Sequence, residues 1–151
     1  MNQQKRTLLQ VSALIGLMAS TGLITAAQAS AWQQNAFGAK SVQKALEALG
    51  AGGLSQKSDL VVLRAPDVAE NGAMVAVGVE TQLKATEIAI LIEKNLNPLA
   101  ARFVLLEGTE PFLATRVKMA QSSNVYALIK ADGKWLMTFK EVKVTVGGCG
   151  V

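Results

Sequence analysis

The carboxyl terminus holds the chain's one cysteine, Cys149, within the sequence VTVGGCGV. A thiol can act as a nucleophile, bind a metal, form a disulfide or hold a covalent adduct. Gly147 and Gly148 precede the cysteine and Gly150 follows it, and glycine backbones adopt conformations closed to other residues. We therefore expect residues 147–151 to form a mobile arm that presents the thiol beyond the folded domain.

The rest of the composition excludes most of the usual catalytic, metal-binding and redox roles of a thiol. The chain has no His, which excludes a Cys–His dyad and an imidazole metal ligand. A single Cys excludes an internal disulfide and a CxxC redox pair. We expect no metal, no cofactor and no enzyme activity, so partner proteins must supply the chemistry that acts on Cys149.

Three other interpretations of Cys149 stay open from the residues alone. The thiol is incidental on a frayed terminus, or it forms an intermolecular disulfide that links structural β-sandwich subunits. The third is a single-cysteine thiol enzyme, such as a peroxidase. That enzyme needs an activating base or cation, and the nearest basic residue in the sequence is Lys143 on the preceding strand.

Residues 1–31 are predicted to be an export signal. A Lys-Arg pair precedes an apolar run over residues 8–27, and small residues then offer cleavage after Ala29 or Ala31. The alternative of a membrane anchor is disfavoured because the run is short and rich in small residues. The sequence KRTLLQ has twin-arginine character, and a general secretory route fits as well. The mature protein is expected in the periplasm, without membrane attachment.

The charge of the mature protein argues against nucleic acid as a partner. The full chain has a formal net charge of +4, and removal of Lys5 and Arg6 with the signal lowers it by 2, to +2. The sequence has no dense Lys/Arg stripe with interleaved aromatic residues, which nucleic-acid binding requires.

Residues 32–146 are predicted to form one domain, an N-terminal helix followed by an all-β, immunoglobulin-like sandwich. Four apolar residues have the i, i+3, i+4, i+7 spacing of one helix face: Val42, Ala45, Leu46 and Leu49. Gly50 is expected to end this helix in the left-handed conformation.

About seven strands are predicted at roughly ten-residue spacing, which is typical of a β-sandwich. The β-rich runs are LVVLR, AMVAVGVE, EIAILIE, ARFVLL, FLATRVK, NVYALIK and KWLMTFKEVKVTV. Asp132-Gly133 is expected to join the last two in a tight hairpin. Valines alternate with polar residues from Glu141 to Val146, so the final strand should have one buried and one solvated face.

Most other distinctive side chains are expected to be structural. Charged residues on strands are interpreted as a solvated face: Arg102, Arg116 and Lys118. Trp135 and Tyr126 are expected in the core or at a subunit interface. Asn95 and Asn97 are expected to stabilise a turn before Pro98. The methionines of the mature chain are expected to fill gaps in the core: Met74, Met119 and Met137.

The sequence VTVGGCGV resembles the carboxyl terminus of the SoxY family, the sulfur-carrier subunits of the bacterial thiosulfate-oxidising system, which typically end in Gly-Gly-Cys-Gly-Gly. Longer segments resemble SoxY in the family's order: APDVAENGAMVAVGV, ILIEKNLNPLA, GTEPFLATRVKMAQSSNVYALIK and GKWLMTFKEVKVTVGGCG. The likeness extends across the mature chain, and an export signal agrees with it.

The resemblance implies that Cys149 is the covalent attachment site for sulfur intermediates and that Gly147, Gly148 and Gly150 form its swinging arm. It implies a heterodimer with a SoxZ-like all-β subunit. A haem cytochrome would join thiosulfate to the cysteine as an S-thiosulfonate. A manganese-dependent hydrolase would then release sulfate and leave a persulfide, on which a sulfur dehydrogenase of the same pathway acts.

Val151 departs from the family pattern, which usually has Gly at this position. Because Val151 lies beyond the thiol, we expect carrier function to survive with a slightly bulkier tip. The valine side chain would hinder entry of the arm most at the narrowest partner site.

Overall fold

The computed structural model describes residues 34–53 and 56–145. Two short helices come first: α1 spans residues 34–38 and α2 spans Val42–Ala48. The strands of the described residues follow: β1 Gln56–Lys57, β2 Val61–Arg64, β3 Val68–Ala69, β4 Val75–Thr81, β5 Ala85–Ile92, β6 Leu99–Val104, β7 Phe112–Val117, β8 Ser123–Ala131 and β9 Lys134–Val144. The predicted order of helix and then strands is confirmed.

Helix α2 ends as its sequence predicts, and the structure adds a cap at its start. Ser41 caps it with an extended backbone, and its hydroxyl accepts a hydrogen bond from the Lys44 N–H at 3.3 Å. Gly50 has a φ of +73°, so a left-handed residue follows the helix. Ala45 and Leu49 are buried, which confirms the apolar face.

The strands form two sheets that enclose the main core. The larger sheet has the order β1-β9-β8-β5-β6, with β3 also paired to β9, and the smaller has the order β2-β4-β7. Alternate residues of β4 are buried in this core: Val75, Val77 and Val79. The larger sheet contributes buried residues that include Ile88, Ile90, Val125, Ile129 and Val142. This is the predicted immunoglobulin-like sandwich.

The outer face of the larger sheet is also covered. Ala45 and Leu49 of the helical segment join Leu91, Leu128 and Trp135 of the sheet in a second apolar cluster, the outer cluster. Strand β5 is therefore buried on both faces, and residues 88–92 are each 0% exposed. This explains the unbroken apolar run IAILI, because a strand with one wet face would alternate.

The hairpin between β8 and β9 is confirmed. Ala131 pairs with Lys134, and between them Asp132 and Gly133 have φ values of +48° and +73°. Two consecutive left-handed residues are what a type I′ turn requires, and Asp-Gly supplies them at little cost.

The two shortest strands, β1 and β3, are absent from the seven that the sequence predicts. Each has 2 residues and pairs in parallel with β9, with Gln56 beside Leu136 and Val68 beside Lys143. Two residues are too few to show an alternation of apolar and polar side chains, so these strands are recognised only by their hydrogen bonds to β9 in the structure.

Two expectations about individual side chains were wrong. Met74 is 58% exposed because it lies on the loop just before β4, whereas Met119 is buried as expected. Arg102 was interpreted as part of a solvated face, but its side chain is only 13% exposed and is paired with Glu87.

Tyr126 packs against the outer cluster, and its ring centroid lies 5.4 Å from that of Phe139. Burial raises the pKa of the Tyr126 phenol, and the Glu93 carboxylate raises it further. Because the chain has one tyrosine, tyrosinate absorbance reports this group alone. We expect a titration midpoint above the ordinary pKa of 10.0.

The same shift predicts a loss of stability at alkaline pH. The unfolded chain loses the phenol proton near its ordinary pKa, and the folded chain keeps it to higher pH. The contribution to stability is therefore present below the unfolded pKa and is lost as the pH rises through the folded pKa. Glu93→Gln should lower the midpoint, and Glu107→Gln should leave it unchanged. A midpoint at or below 10.0 would contradict the role of burial.

Candidate functional site at the end of strand β9

The predicted site residues lie outside the described part of the chain: Cys149, Gly147, Gly148 and Gly150. Val151 lies outside it as well. The described residues end at Thr145, directly after β9. The geometry of residues 143–145 therefore defines the point from which the predicted arm starts.

Strand β9 is held by β8 over most of its 11 residues. Antiparallel pairs run from Lys134 beside Ala131 to Val142 beside Ser123. Residues 143–145 continue past the start of β8, so their backbone groups need other partners.

Strand β3 provides these partners on one edge. The Lys143 N–H donates to the Asp67 carbonyl oxygen at 2.9 Å, and the Thr145 N–H donates to the Ala69 carbonyl oxygen at 3.0 Å. The Thr145 hydroxyl lies 3.4 Å from the same Ala69 oxygen. Alternate amides are thus satisfied as in a regular parallel ladder.

Ser122 provides the partner on the opposite edge. The Val144 N–H donates to the Ser122 Oγ at 2.9 Å, and the same hydroxyl lies 3.5 Å from the Val144 carbonyl oxygen. Because the β8–β9 ladder ends at Ser123, the Ser122 side chain takes the place that a backbone group would fill in a longer strand.

The loop before β4 packs against the same residues. A Cβ added to Gly72 would lie 2.6 Å from the Met119 carbonyl oxygen and 2.9 Å from the Val144 Cγ1. This close approach requires glycine. Residues 67–72, Ser122 and residues 143–145 are together termed the arm root.

A cavity of about 750 Å³ lies at the other end of the sandwich, lined by residues 81–86 and 105–111. That end is where β9 begins, so at about 3.3 Å per residue the cavity is about 30 Å from Val144. Four residues lead from Thr145 to Cys149, which is about 14 Å of extended chain at most. The thiol cannot reach this cavity, so a site that receives it must belong to another molecule or lie near the arm root.

The described residues offer no group of three or more His, Cys, Asp or Glu side chains that could hold a metal ion. Within the same residues, no helix has the length and apolar character needed to cross a membrane.

A cluster of charges on the outer face of the larger sheet was not predicted from the sequence. The Glu87 Oε2 accepts hydrogen bonds from Arg102 Nε at 2.9 Å and Nη2 at 2.6 Å, and its Oε1 accepts one from Lys130 Nζ at 3.2 Å. The Lys130 ammonium also lies 5.5 Å from the centroid of the Trp135 ring. Glu87 lies on β5 between Arg102 of β6 and Lys130 of β8. The contacts therefore join three neighbouring strands, which indicates a structural role.

The fold of the described residues occurs in other solved structures. A superoxide reductase (neelaredoxin) from Ignicoccus hospitalis aligns with a TM-score of 0.55 and 18% identity, over 62% of this chain and 98% of that chain. At this identity the likeness shows only that both proteins share the sandwich. A search of curated proteins found no match.

A second solved structure is more similar in sequence. The sulfur carrier protein SoxY from Chlorobium limicola f thiosulfatophilum aligns with a TM-score of 0.63 and 35% identity, over 75% of this chain and 99% of that chain. The model of the family described as sulfur oxidation protein SoxY matches residues 45–149, a match that ends on Cys149. This chain belongs to the SoxY family.

Proposed function

We propose that this protein is a sulfur carrier of bacterial thiosulfate oxidation and that it holds its cargo covalently on Cys149. Family membership and the likeness to the Chlorobium carrier support the carrier role. The observation on which the proposal rests most is that the family match runs through Cys149, only four residues after the anchored Thr145.

The proposed cargo is attached by oxidation. The Cys149 thiol and one thiosulfate lose two electrons and one proton, and a sulfur–sulfur bond forms between them to give the S-thiosulfonate. A haem cytochrome accepts the electrons. This chain has no His, so the proton passes to the partner or to water. The carrier is thus a reactant rather than an enzyme.

The later steps change the cargo on Cys149, and the bond to the cysteine stays intact until the last of them. A manganese-dependent hydrolase adds water to the terminal sulfonate sulfur and releases sulfate, which leaves a persulfide on the cysteine. A sulfur dehydrogenase then accepts six electrons from the outer sulfur, which gains three oxygens from water. A last hydrolysis breaks the bond between this sulfur and Cys149, releases sulfate and restores the thiol. The haem and the manganese belong to these partners, and Cys149 only presents the sulfur.

The proposed arm suits this role because each partner must reach the sulfur in its own site. Gly147, Gly148 and Gly150 keep the chain thin on both sides of Cys149 and let its backbone adapt to sites of different shape. The carrier is further proposed to work as a heterodimer with a SoxZ-like subunit in the periplasm, after removal of the export signal.

Intact-mass measurement tests the proposed function. The mature chain is incubated with thiosulfate and the oxidising haem cytochrome, and the expected result is a gain equal to one thiosulfate, located on the C-terminal peptide and removed by a reducing agent. Protein alkylated beforehand at Cys149 is the control and should gain nothing. A covalent dimer that forms without any sulfur adduct would instead identify a structural subunit linked by a disulfide.

A further inference from the structure

We propose that Ser122 is a positioning residue for sulfur transfer: its hydroxyl fixes the arm root, so that the tether leading to Cys149 starts at Thr145. The inference deepens the proposed function, because it matters for transfer only if Cys149 carries the cargo. The contacts that support it all lie among the described residues.

Consecutive amides at the arm root are bound from opposite sides. The Lys143 and Thr145 amides bind carbonyl oxygens on the β3 side, and the Val144 amide between them binds Ser122. A strand that ran past its neighbour without such contacts would fray from the last ladder pair, at Val142. Ser122 thus extends the fixed part of β9 on the edge where β8 has ended.

Ser122 is itself held in place by a second loop. The Asn95 side-chain amide donates to the Lys118 carbonyl oxygen at 2.8 Å, and its oxygen accepts a hydrogen bond from the Ala120 N–H at 3.0 Å. The neighbouring Ser123 is buried, and its hydroxyl accepts a hydrogen bond from the Lys94 N–H at 3.0 Å. The loop before β8 is therefore braced, and Ser122 is a firm anchor for Val144.

The position of the anchor determines the length of the tether. With Thr145 fixed, the tether up to and including Cys149 has four residues, 146–149. If the strand frayed to Val142, the tether would have seven, 143–149. The effective concentration of a tethered group falls as about the −3/2 power of tether length. Fraying would therefore lower the concentration of the thiol at a docked partner by about twofold and would widen the region that it samples.

Ser122→Ala tests the anchor, because it removes the hydroxyl and little else. We expect amide hydrogen exchange at Val144 to rise about fivefold, as the loss of one neutral hydrogen bond predicts. A nitroxide attached to Cys149, the chain's one thiol, should show a more mobile spectrum. In transfer assays kcat should fall, by up to about twofold, while KM for the partner is unchanged, because the tether acts after the partner has docked.

Two further variants complete the experiment. Ser122→Thr keeps the hydroxyl and should restore the slow exchange of Val144. Ser58→Ala removes a comparable bond, in which the Ser58 hydroxyl accepts from the Leu60 N–H at 3.2 Å, and should leave both Val144 and the nitroxide unaffected. Unchanged exchange at Val144 and an unchanged nitroxide spectrum in Ser122→Ala would overturn the inference. Equal acceleration of exchange at Val144 and at core amides such as Leu128 would also overturn it, since that result indicates general destabilisation.

The experiments distinguish a failure of the positioning role of Ser122 from a failure of the proposed carrier function. If Ser122→Ala frees Val144 but no sulfur adduct forms on Cys149, the proposed carrier function fails, and with it the role of Ser122 in transfer. If the adduct forms and Val144 is unaffected by Ser122→Ala, the carrier function stands and the positioning role is refuted.

Discussion

Cys149→Ser is expected to reduce thiosulfate-dependent turnover of a reconstituted system to the rate measured without the carrier. A serine hydroxyl cannot form the sulfur–sulfur bond that attaches the cargo, and the chain has no second thiol to replace it. Turnover is measured as electrons delivered to the haem cytochrome or as sulfate released. The turnover rate should stay at this background level at every concentration of the variant, because the variant lacks the reacting atom.

Val151→Gly is the matched control for this result. It changes a residue of the same predicted arm, restores the glycine that the family usually has, and leaves Cys149 intact. Turnover with Val151→Gly should equal that of the original chain or exceed it, if bulk at the tip slows entry into a partner site. Full turnover by Cys149→Ser would refute the carrier function.

Arg102→Met is expected to lower the free energy of unfolding by about 3 kcal/mol. The Arg102 and Glu87 side chains are only 13% and 12% exposed, so removal of the guanidinium leaves a largely buried carboxylate with the more exposed Lys130 as its cation. Methionine keeps most of the aliphatic packing of arginine. The decrease in the free energy of unfolding therefore measures the loss of the guanidinium charge rather than a loss of side-chain volume. Urea unfolding measures it.

Two comparisons isolate the effect of burial. Adding Glu87→Gln to Arg102→Met should recover part of the lost stability, because it removes a largely buried carboxylate that has lost one of its two cations. Arg64 and Glu80 form a similar two-bond pair at 3.1 and 2.7 Å, but the Arg64 side chain is 65% exposed. Arg64→Met should therefore destabilise much less. Equal losses at the two sites would contradict the importance of burial.

Patterns that are local in sequence predicted most of the fold. The spacing from Val42 to Leu49 gave the helix face, and Asp132-Gly133 gave the last hairpin. Each depends on residues a few positions apart, whose conformations are fixed by neighbouring side chains and by the backbone preferences of glycine and aspartate. Cys149 was predicted as the site for a different reason: the lack of His and of a second Cys left few uses for its thiol.

Features that depend on pairing between distant residues were not predictable. Arg102 meets Glu87 only through the register of β5 and β6, which shifts between Ile90 and Leu91. Ser122 binds Val144 only because β8 begins one residue too late to continue the ladder. Neither a register nor the relative ends of two strands leaves a periodic signal in one sequence, so the anchoring of the arm root had to come from the structure.

The short parallel strands β1 and β3 also affect how the protein meets copies of itself. Strand β9 has 11 residues, so its edge away from β8 would offer about 36 Å of unpaired backbone to any extended peptide. β1 occupies that edge at Leu136 and Met137, and β3 occupies it at Lys143 and Val144. With both positions taken, a second chain cannot add along the whole edge, so the longest described strand is shielded against open-ended sheet assembly.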